Sequence, residues 1–530
     1  MAGPKGFRNL PKLERLKRGR PAPSPPPLLR RRGRPLPRKQ EAPSPVIALA
    51  AFPQSHQRVL LEVLRLLGPS REAFLVGGAV RDILLARQDV EDLDLALSNG
   101  ALEVARSLAD CLGGAFVALD EARGAGRVVF KAEPGHRQVD LTDFRASALE
   151  ADLRGRDFSV NAIAVPLGPL VRDTQARVVD PSGGLIDLAR RRLRLAGPGV
   201  FEADPLRALR GVRLASQLGF SLDAQARRAA RAVAPKLTTV SPERQREELV
   251  RLLSVPEASR ALGQLDQLGL LEAVLPEIGP MKRAAQPTPH RFSVWEHSLR
   301  AVDAVDRLLA DLDELAPHAD ELTAHLGEAL GDGLTRREVL KLAALLHDVA
   351  KPRCRQVVDG RIRFIGHDAV GADMARAIAQ RLRLSSAATA VLERLVRHHL
   401  RLMHLAQVAE VSRRARYRFF RDLGVEAQDL LLLTLADAAA VRGLAAATVW
   451  RGSLGRLVAD LLGGLKEDRQ QVGAPPLLRG EDVMAAFGLA PGPEVGRLLA
   501  LAREAQDLGQ VRTREEALAY LAATESALDT

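Results

Sequence analysis

Apolar positions change period along this chain. Over residues 56–67 they recur at helical spacing, which predicts an amphipathic helix. Short apolar runs follow at 74–76, 93–97, 115–119, 128–131 and 139–142, separated by polar and glycine-bearing stretches. They predict strands of a single sheet with helices or turns between them. From about Leu185 onward Leu, Ala and Arg return at 3.6-residue spacing, and almost everything reads as helix. No internal repeat of fixed period is present. The expected fold class is therefore α+β: a small mixed head followed by a long, all-helical body. Residues 289–293 and 470–476 read as joints within that body, and the segments expected are 1–53, 54–170, 171–288, 289–445 and 446–530.

Charge alters this picture at one end only. The formal net charge is +12, and residues 1–40 carry thirteen Lys or Arg against a single acid, Glu14, so the remainder is formally neutral. That arm is also Pro-rich over residues 21–27, and segment 1–53 is expected to be a disordered basic tail. It reads either as a non-specific RNA-binding arm drawn by phosphate charge or as a solubilising extension. Two cysteines, Cys111 and Cys354, argue against a disulfide framework and fit a reducing cytosol. Neither a membrane-length apolar run nor the apolar core of a signal peptide is found, so a cytoplasmic protein without a membrane partner is expected.

The most informative stretch is FLVGGAVRDILL followed by VEDLDLAL. Gly77 and Gly78 end a strand and open a helix, where backbone N–H groups can approach a phosphate closely. Asp92 and Asp94 flank Leu93. On a strand alternate residues share a face, so both carboxylates project together while Leu93 points into the core. Such a pair repels itself unless neutralised, and Mg²⁺ bound by one or two carboxylates plus substrate phosphates does so. Two-metal phosphoryl transfer needs this arrangement. A DxD pair by itself also decorates many solvated strands.

The combination is more specific. GGxVRDxLL followed by DxDxA resembles the signature of class II tRNA CCA-adding enzymes and bacterial poly(A) polymerases, whose head is of the DNA-polymerase-β type. The resemblance implies that Asp92 and Asp94 are catalytic and hold Mg²⁺. It places Gly77 and Gly78 against the triphosphate, with Arg81 and Asp82 completing the pocket. Residues 152–162, DLRGRDFSVNA, resemble the family's DLxRRDFTxNA. That match implies that Arg156 and Asp157 recognise the triphosphate and ribose, with Asn161 in the same motif; the family's first Arg is Gly155 here. Asp140 could offer another carboxylate or be structural.

Residues 201–213, FEADPLRALRGVR, resemble the family's EDxxR motif with further arginines, Arg210 and Arg213. Asp204 and Arg207 lie about one helical turn apart and can present an acceptor and fixed donors together, complementing a base edge. In the family this pair selects CTP or ATP without a template. Asp204 before Pro205 is equally an ordinary helix start. The family's Glu is Ala203 here, beside Glu202. Residues 240–249, with Arg244, resemble another neck helix of the family and read as structural. With aromatic residues at 3%, RNA is expected to be held by Arg on helices rather than by stacking platforms. Between TDFR and DLRGRD only residues 146–151 intervene. Full CCA-adding enzymes often carry a longer loop here, and a short one is a feature of CC-adding relatives and of other branches.

Further on, His347-Asp348 in LLHDVAKP, His297 upstream and Asp437 downstream resemble the ligand order of the HD metal-phosphohydrolase superfamily. His367 and His398, with His399 as an alternative to the latter, sit where some members place ligands for a second metal. Imidazole nitrogens with carboxylate suit a transition metal (Mn, Ni or Fe) better than Mg²⁺. Segment 54–170 is then the nucleotidyltransferase head, 171–288 a helical neck that selects the base and binds RNA, 289–445 an HD domain and 446–530 a C-terminal helical domain. The expected activity is template-independent addition or repair of the 3′ CCA end of tRNA, or of its CC part, from CTP and ATP. Alternatives are a poly(A) polymerase or A-adding enzyme, an HD-type phosphohydrolase with a vestigial head, and a non-catalytic RNA-binding protein.

Overall fold

A computed structural model describes residues 45–526 apart from 88–89, 91, 132–135, 289–290, 409–410, 443–445 and 465–474. The basic arm up to Ser44, and most of the two expected joints, lie outside the described residues. Residues 45–53, which the sequence assigned to the tail, belong to the head. Val46–Ala48 pairs antiparallel with Gln175–Arg177, and Ile47 and Phe52 are buried. Two apolar side chains in a polar stretch are too few to register as a periodic element, yet enough to anchor it.

The head begins with α1 (Gln54–Leu67), which buries Val59, Leu60, Val63 and Leu67. Six strands follow in one sheet: β1 (Ala73–Val76), β2 (Leu93–Leu97), β3 (Ala115–Asp120), β4 (Ala125–Lys131), β5 (His136–Asp143) and β6 (Ala164–Pro166). Their order is β3-β4-β5-β2-β1-β6, with β2 and β5 parallel and the other pairs antiparallel. Alternation sorts the two faces. Leu93, Leu95 and Leu97 of β2, with Val139 and Leu141 of β5, join the core beneath the sheet with α1 and α3 (Ala101–Leu112). Asp94 and Asp140 are register partners on the opposite face, and Arg127 of β4 is the next residue in that row. Helix α2 (Gly78–Leu84) leaves the end of β1, and α4 (Leu149–Arg154) follows β5 after a short connection.

In the neck, α5 (Leu206–Leu218) packs on α6 (Pro242–Leu253). The body contains α7 (Val294–Ala310), α8 (Arg336–Leu346), α9 (His367–Arg381), α10 (Ser386–His398), α11 (Arg413–Leu423) and α12 (Ala427–Arg442). Helix α12 lies against α7 and α8, and its run from Leu430 to Leu433 is buried all round, as a central helix requires. The region is not wholly helical. Arg355–Val358 and Arg361–Phe364 form a hairpin joined by Asp359-Gly360, both at positive φ (51° and 72°). That Asp-Gly turn suits the twist of a two-residue hairpin, and it was legible as such. A separate core containing Leu478, Val483 and Leu498 closes the C-terminal segment. No helix among the described residues is long and apolar enough to cross a membrane.

Candidate active site and metal centre

One cleft of about 2020 Å³ opens between head and neck. A drug-sized ligand needs ~300–1,000 Å³, so this cleft has room for a nucleotide and a second substrate together. Every head and neck residue singled out above lines it, and so does Asp140. Asp94 is half-buried on β2 and Asp92 stands exposed just before the strand, where it accepts a hydrogen bond from Gln138 N at 3.1 Å. Burial pushes the Asp94 carboxyl above its ordinary range; Arg156 opposes this, while Asp140, Asp92 and Asp157 add to it. Asp140 is gripped by both guanidinium edges of Arg127, at 2.7 and 2.8 Å. Three carboxylates therefore converge with one cation between them, a donor set of hard oxygens that fits a divalent cation.

Beside these acids the backbone turns sharply at Gly77, with φ at 77°. Two motifs separated by about 80 residues lock together behind it. Arg81 pairs with Asp82 through two bonds of 2.9 and 2.7 Å and donates to Asn161 Oδ1 at 2.8 Å. Asn161 in turn donates to Asp157 Oδ1 at 3.0 Å, an oxygen that also accepts from Phe158 N. Burial would raise the Asp157 carboxyl, but Arg210, Asn161 and the Phe158 N–H outweigh it and hold it below its usual range. It stays a carboxylate, able to accept from a hydroxyl.

The neck residues divide by function. Glu248 of α6 holds Arg210 (3.1 Å) and Arg213 (2.8 Å) of α5, and Arg213 also donates to Gln217. These bonds lock the two helices together. Asp204 and Arg207 do not form the close pair expected, with Nε and Oδ2 4.0 Å apart. Arg207 donates instead to the Gly155 carbonyl at 3.0 Å, while Asp204 is held by Arg244 at 2.8 Å. Arg244 thus joins the cleft, although sequence reading made its segment structural. No local spacing links positions 204 and 244.

In the body, His297, His347 and Asp437 bring donor atoms within 4.8 Å of one another, and Asp348, His367 and His399 form a second such group. Asp348 stands between them: Oδ2 lies 3.2 Å from His347 Nε2 and 3.5 Å from His297 Nε2, and Oδ1 lies 3.4 Å from His367 Nε2. His398 does not join either group. Consecutive residues on a helix point ~100° apart, and at the end of α10 it is His399 that faces Asp348. Three imidazoles share a further feature. His347, His367 and His399 each place Nδ1 on a carbonyl, those of Ala344 (2.9 Å), Phe364 (2.6 Å) and Val396 (2.7 Å). A carbonyl only accepts, so Nδ1 carries the proton and Nε2 is turned to the centre, the tautomer a metal ligand needs. Burial disfavours the charged form of His347, but Asp348 and Asp437 outweigh it and push it up to about 9. His399 is pushed down to about 4 by burial, with His347 adding to it. Lys351 Nζ lies 2.6 Å from Asp348 Oδ2 and donates to Gln286 at 2.7 Å. Sequence reading overlooked this lysine, although it lies one turn beyond the His-Asp pair.

Three family models match the chain: the poly A polymerase head domain over residues 73–194, the probable RNA and SrmB-binding site of polymerase A over 219–281, and the HD domain over 294–441. The chain is 39% identical to an A-adding tRNA nucleotidyltransferase of Deinococcus radiodurans over 85% of its own length and 94% of that protein's. It is 34% identical to a CC-adding tRNA nucleotidyltransferase of Geobacter sulfurreducens over 85% and 91% of the two lengths. In fold it is similar to the Thermotoga maritima CCA-adding enzyme solved with tRNA, with a TM-score of 0.54 and 18% identity over 90% of this chain and 99% of that one.

Proposed function

As the chain belongs to the class II tRNA nucleotidyltransferase and poly(A) polymerase family and is a tRNA 3′-end nucleotidyltransferase, we propose that the head–neck cleft extends the tRNA 3′ end from CTP or ATP, in the cytoplasm. The observation that carries this site is the convergence of Asp92, Asp94 and Asp140 beside the Gly77 turn, in one cleft with the Arg81–Asn161–Asp157 chain.

Asp92 and Asp94 would hold Mg²⁺. Such ions supply charge neutralisation at the triphosphate and make the RNA 3′-hydroxyl easier to deprotonate. The chain's own residues then do the positioning. Gly77 and Gly78, with the N-terminus of α2, give the phosphates close backbone approach. Arg156 adds positive charge beside Asp94, and Asp157, kept ionised, accepts from a ribose hydroxyl. Attack of the 3′-hydroxyl on the α-phosphorus in line with the leaving group forms the new phosphodiester and releases pyrophosphate. The His-Asp centre is a separate site, whose imidazole and carboxylate donors suit a transition metal. The intact head carboxylates argue against a primarily phosphohydrolytic protein.

The short connection from β5 to α4 favours addition of CC only, whereas the 39% identity to an A-adding relative favours addition of the terminal A. Purified protein with Mg²⁺ and labelled CTP or ATP on tRNA transcripts ending before CCA, after C and after CC separates these readings. CC addition alone supports the first and one A on the CC end the second. Long A tracts mean a poly(A) polymerase. Transfer that persists in a folded Asp92→Ala, Asp94→Ala double variant would overturn the site assignment.

A further inference from the structure

Reading a base without a nucleic-acid template requires an acceptor and a donor at fixed spacing. Cytosine and adenine each present an exocyclic amino group, a donor, next to an unprotonated ring nitrogen, an acceptor. Uracil and guanine present the reverse, a carbonyl oxygen next to a ring N–H. A carboxylate beside a guanidinium therefore matches the first two bases and opposes the others.

Asp204 supplies the carboxylate in this cleft. Its Oδ1 accepts weakly from Leu206 N at 3.3 Å, and its Oδ2 accepts from Arg244 Nη2 at 2.8 Å. Arg207, one turn on in the same helix, is otherwise engaged. Its Nη1 donates to the carbonyls of Gly155 (3.0 Å) and Val200 (3.4 Å), its Nε is 4.0 Å from Asp204, and its side chain is only 13% exposed. The adjoining Ala203 carries no carboxylate to pull it off the wall. Arg244 has a side chain 50% exposed and lines the same cleft. Its position is also fixed. Glu248 lies one turn further along α6, on the same helix face, and is clamped by Arg210 and Arg213. The neck–neck lock thereby sets where Arg244 stands.

We infer that Arg244, and not Arg207, is the donor half of the base-reading pair, so that Asp204 and Arg244 together admit cytosine and adenine and turn away uracil and guanine. Arg207 braces the cleft wall through the Gly155 and Val200 carbonyls. This inference rests on the nucleotide-transfer reading of the cleft.

The test uses the full chain as wild type, Arg244→Ala, Arg244→Lys and Arg207→Ala. Binding of CTP, ATP, UTP and GTP is measured calorimetrically with Ca²⁺, followed by single-nucleotide transfer onto tRNA transcripts with Mg²⁺. The expected result is a loss of about ten- to hundredfold in the preference for CTP or ATP over UTP and GTP in Arg244→Ala, the scale of one bidentate base contact. Arg244→Lys, which keeps the charge but not the fork, should recover only part of it, and Arg207→Ala should weaken all four nucleotides alike. Because the readout is a ratio within each variant, partial unfolding does not imitate it. An unchanged ratio in Arg244→Ala, an equal change in Arg207→Ala, or a wild type that binds all four alike overturns the inference. A wild type that transfers nothing yet loses its binding preference on Arg244→Ala would sink the transfer reading and leave this one standing.

Discussion

Gly77 faces Asp94 across the turn from β1 into α2 so closely that a Cβ at 77 would overlap Oδ2 and stand 3.2 Å from Cγ. The same residue sits at φ 77°, where side chains other than glycine are strained. The turn is thus shaped around the carboxylate. We expect Gly77→Ala to displace Asp94 and reduce transfer by about a hundredfold or more, the cost of an ångström-scale misplacement at a reacting centre. Circular dichroism should show the fold retained. Near wild-type transfer by that variant would mean that the turn does not position Asp94.

His347 lies in a different part of the molecule's chemistry. Its Nε2 is 3.2 Å from both Asp348 and His297, and its Nδ1 is tied to Ala344. In Arg and Lys-rich surroundings such a cluster could serve structure alone, so two readouts are needed. His347→Ala should lower affinity for a transition metal by at least about a hundredfold, the upper cost of disturbing even an outer partner of a metal ligand. Nucleotide transfer should remain within about twofold of wild type. A parallel loss of transfer would place the two sites in one mechanism.

Glu248 offers a stability test with a defined pH dependence. It is buried between Arg210 and Arg213, and although burial raises its carboxyl, the two guanidinium groups prevail and hold it below its ordinary value. Its stabilisation is complete above the unfolded-state pKa and is lost as pH falls through the lower folded-state value. Glu248→Ala should cost about 3 kcal/mol near pH 7, at the low end for orphaning buried charge because Arg210 keeps some contact with solvent. The gap to wild type in urea melts should narrow as pH falls below about 4.5, where the unfolded carboxyl begins to protonate. A gap unchanged down to pH 3 would trace the loss to packing rather than charge.

What could be read along the chain was what short-range geometry dictates. Alternation at Leu93, Asp94 and Leu95 is enough to put a carboxylate on one face and two leucines on the other. The glycines at 77 and 78 mark a turn into a helix whatever surrounds them. The strands at 74–76, 93–97 and 139–142 and the helix at 56–67 were legible for the same reason, as was the His347-Asp348 pair on an apolar segment. The family resemblance rested on these local patterns.

The tertiary structure decided which of these local pieces meet. Asp140 could have been structural or a third acid, and only the register of β5 against β2 and β4 sets it between Asp94 and Arg127. His398 and His399 are indistinguishable by spacing, and the packing angle of α10 turns the second toward Asp348. Arg244 and Asp204 are forty residues apart, and nothing in either segment announces the other. Periodicity is a property of a few consecutive φ/ψ pairs, so sequence determined the elements and the faces on which their chemistry lies. The partner each face finds depends on how buried apolar surfaces from distant segments interlock, and only the folded chain expresses that.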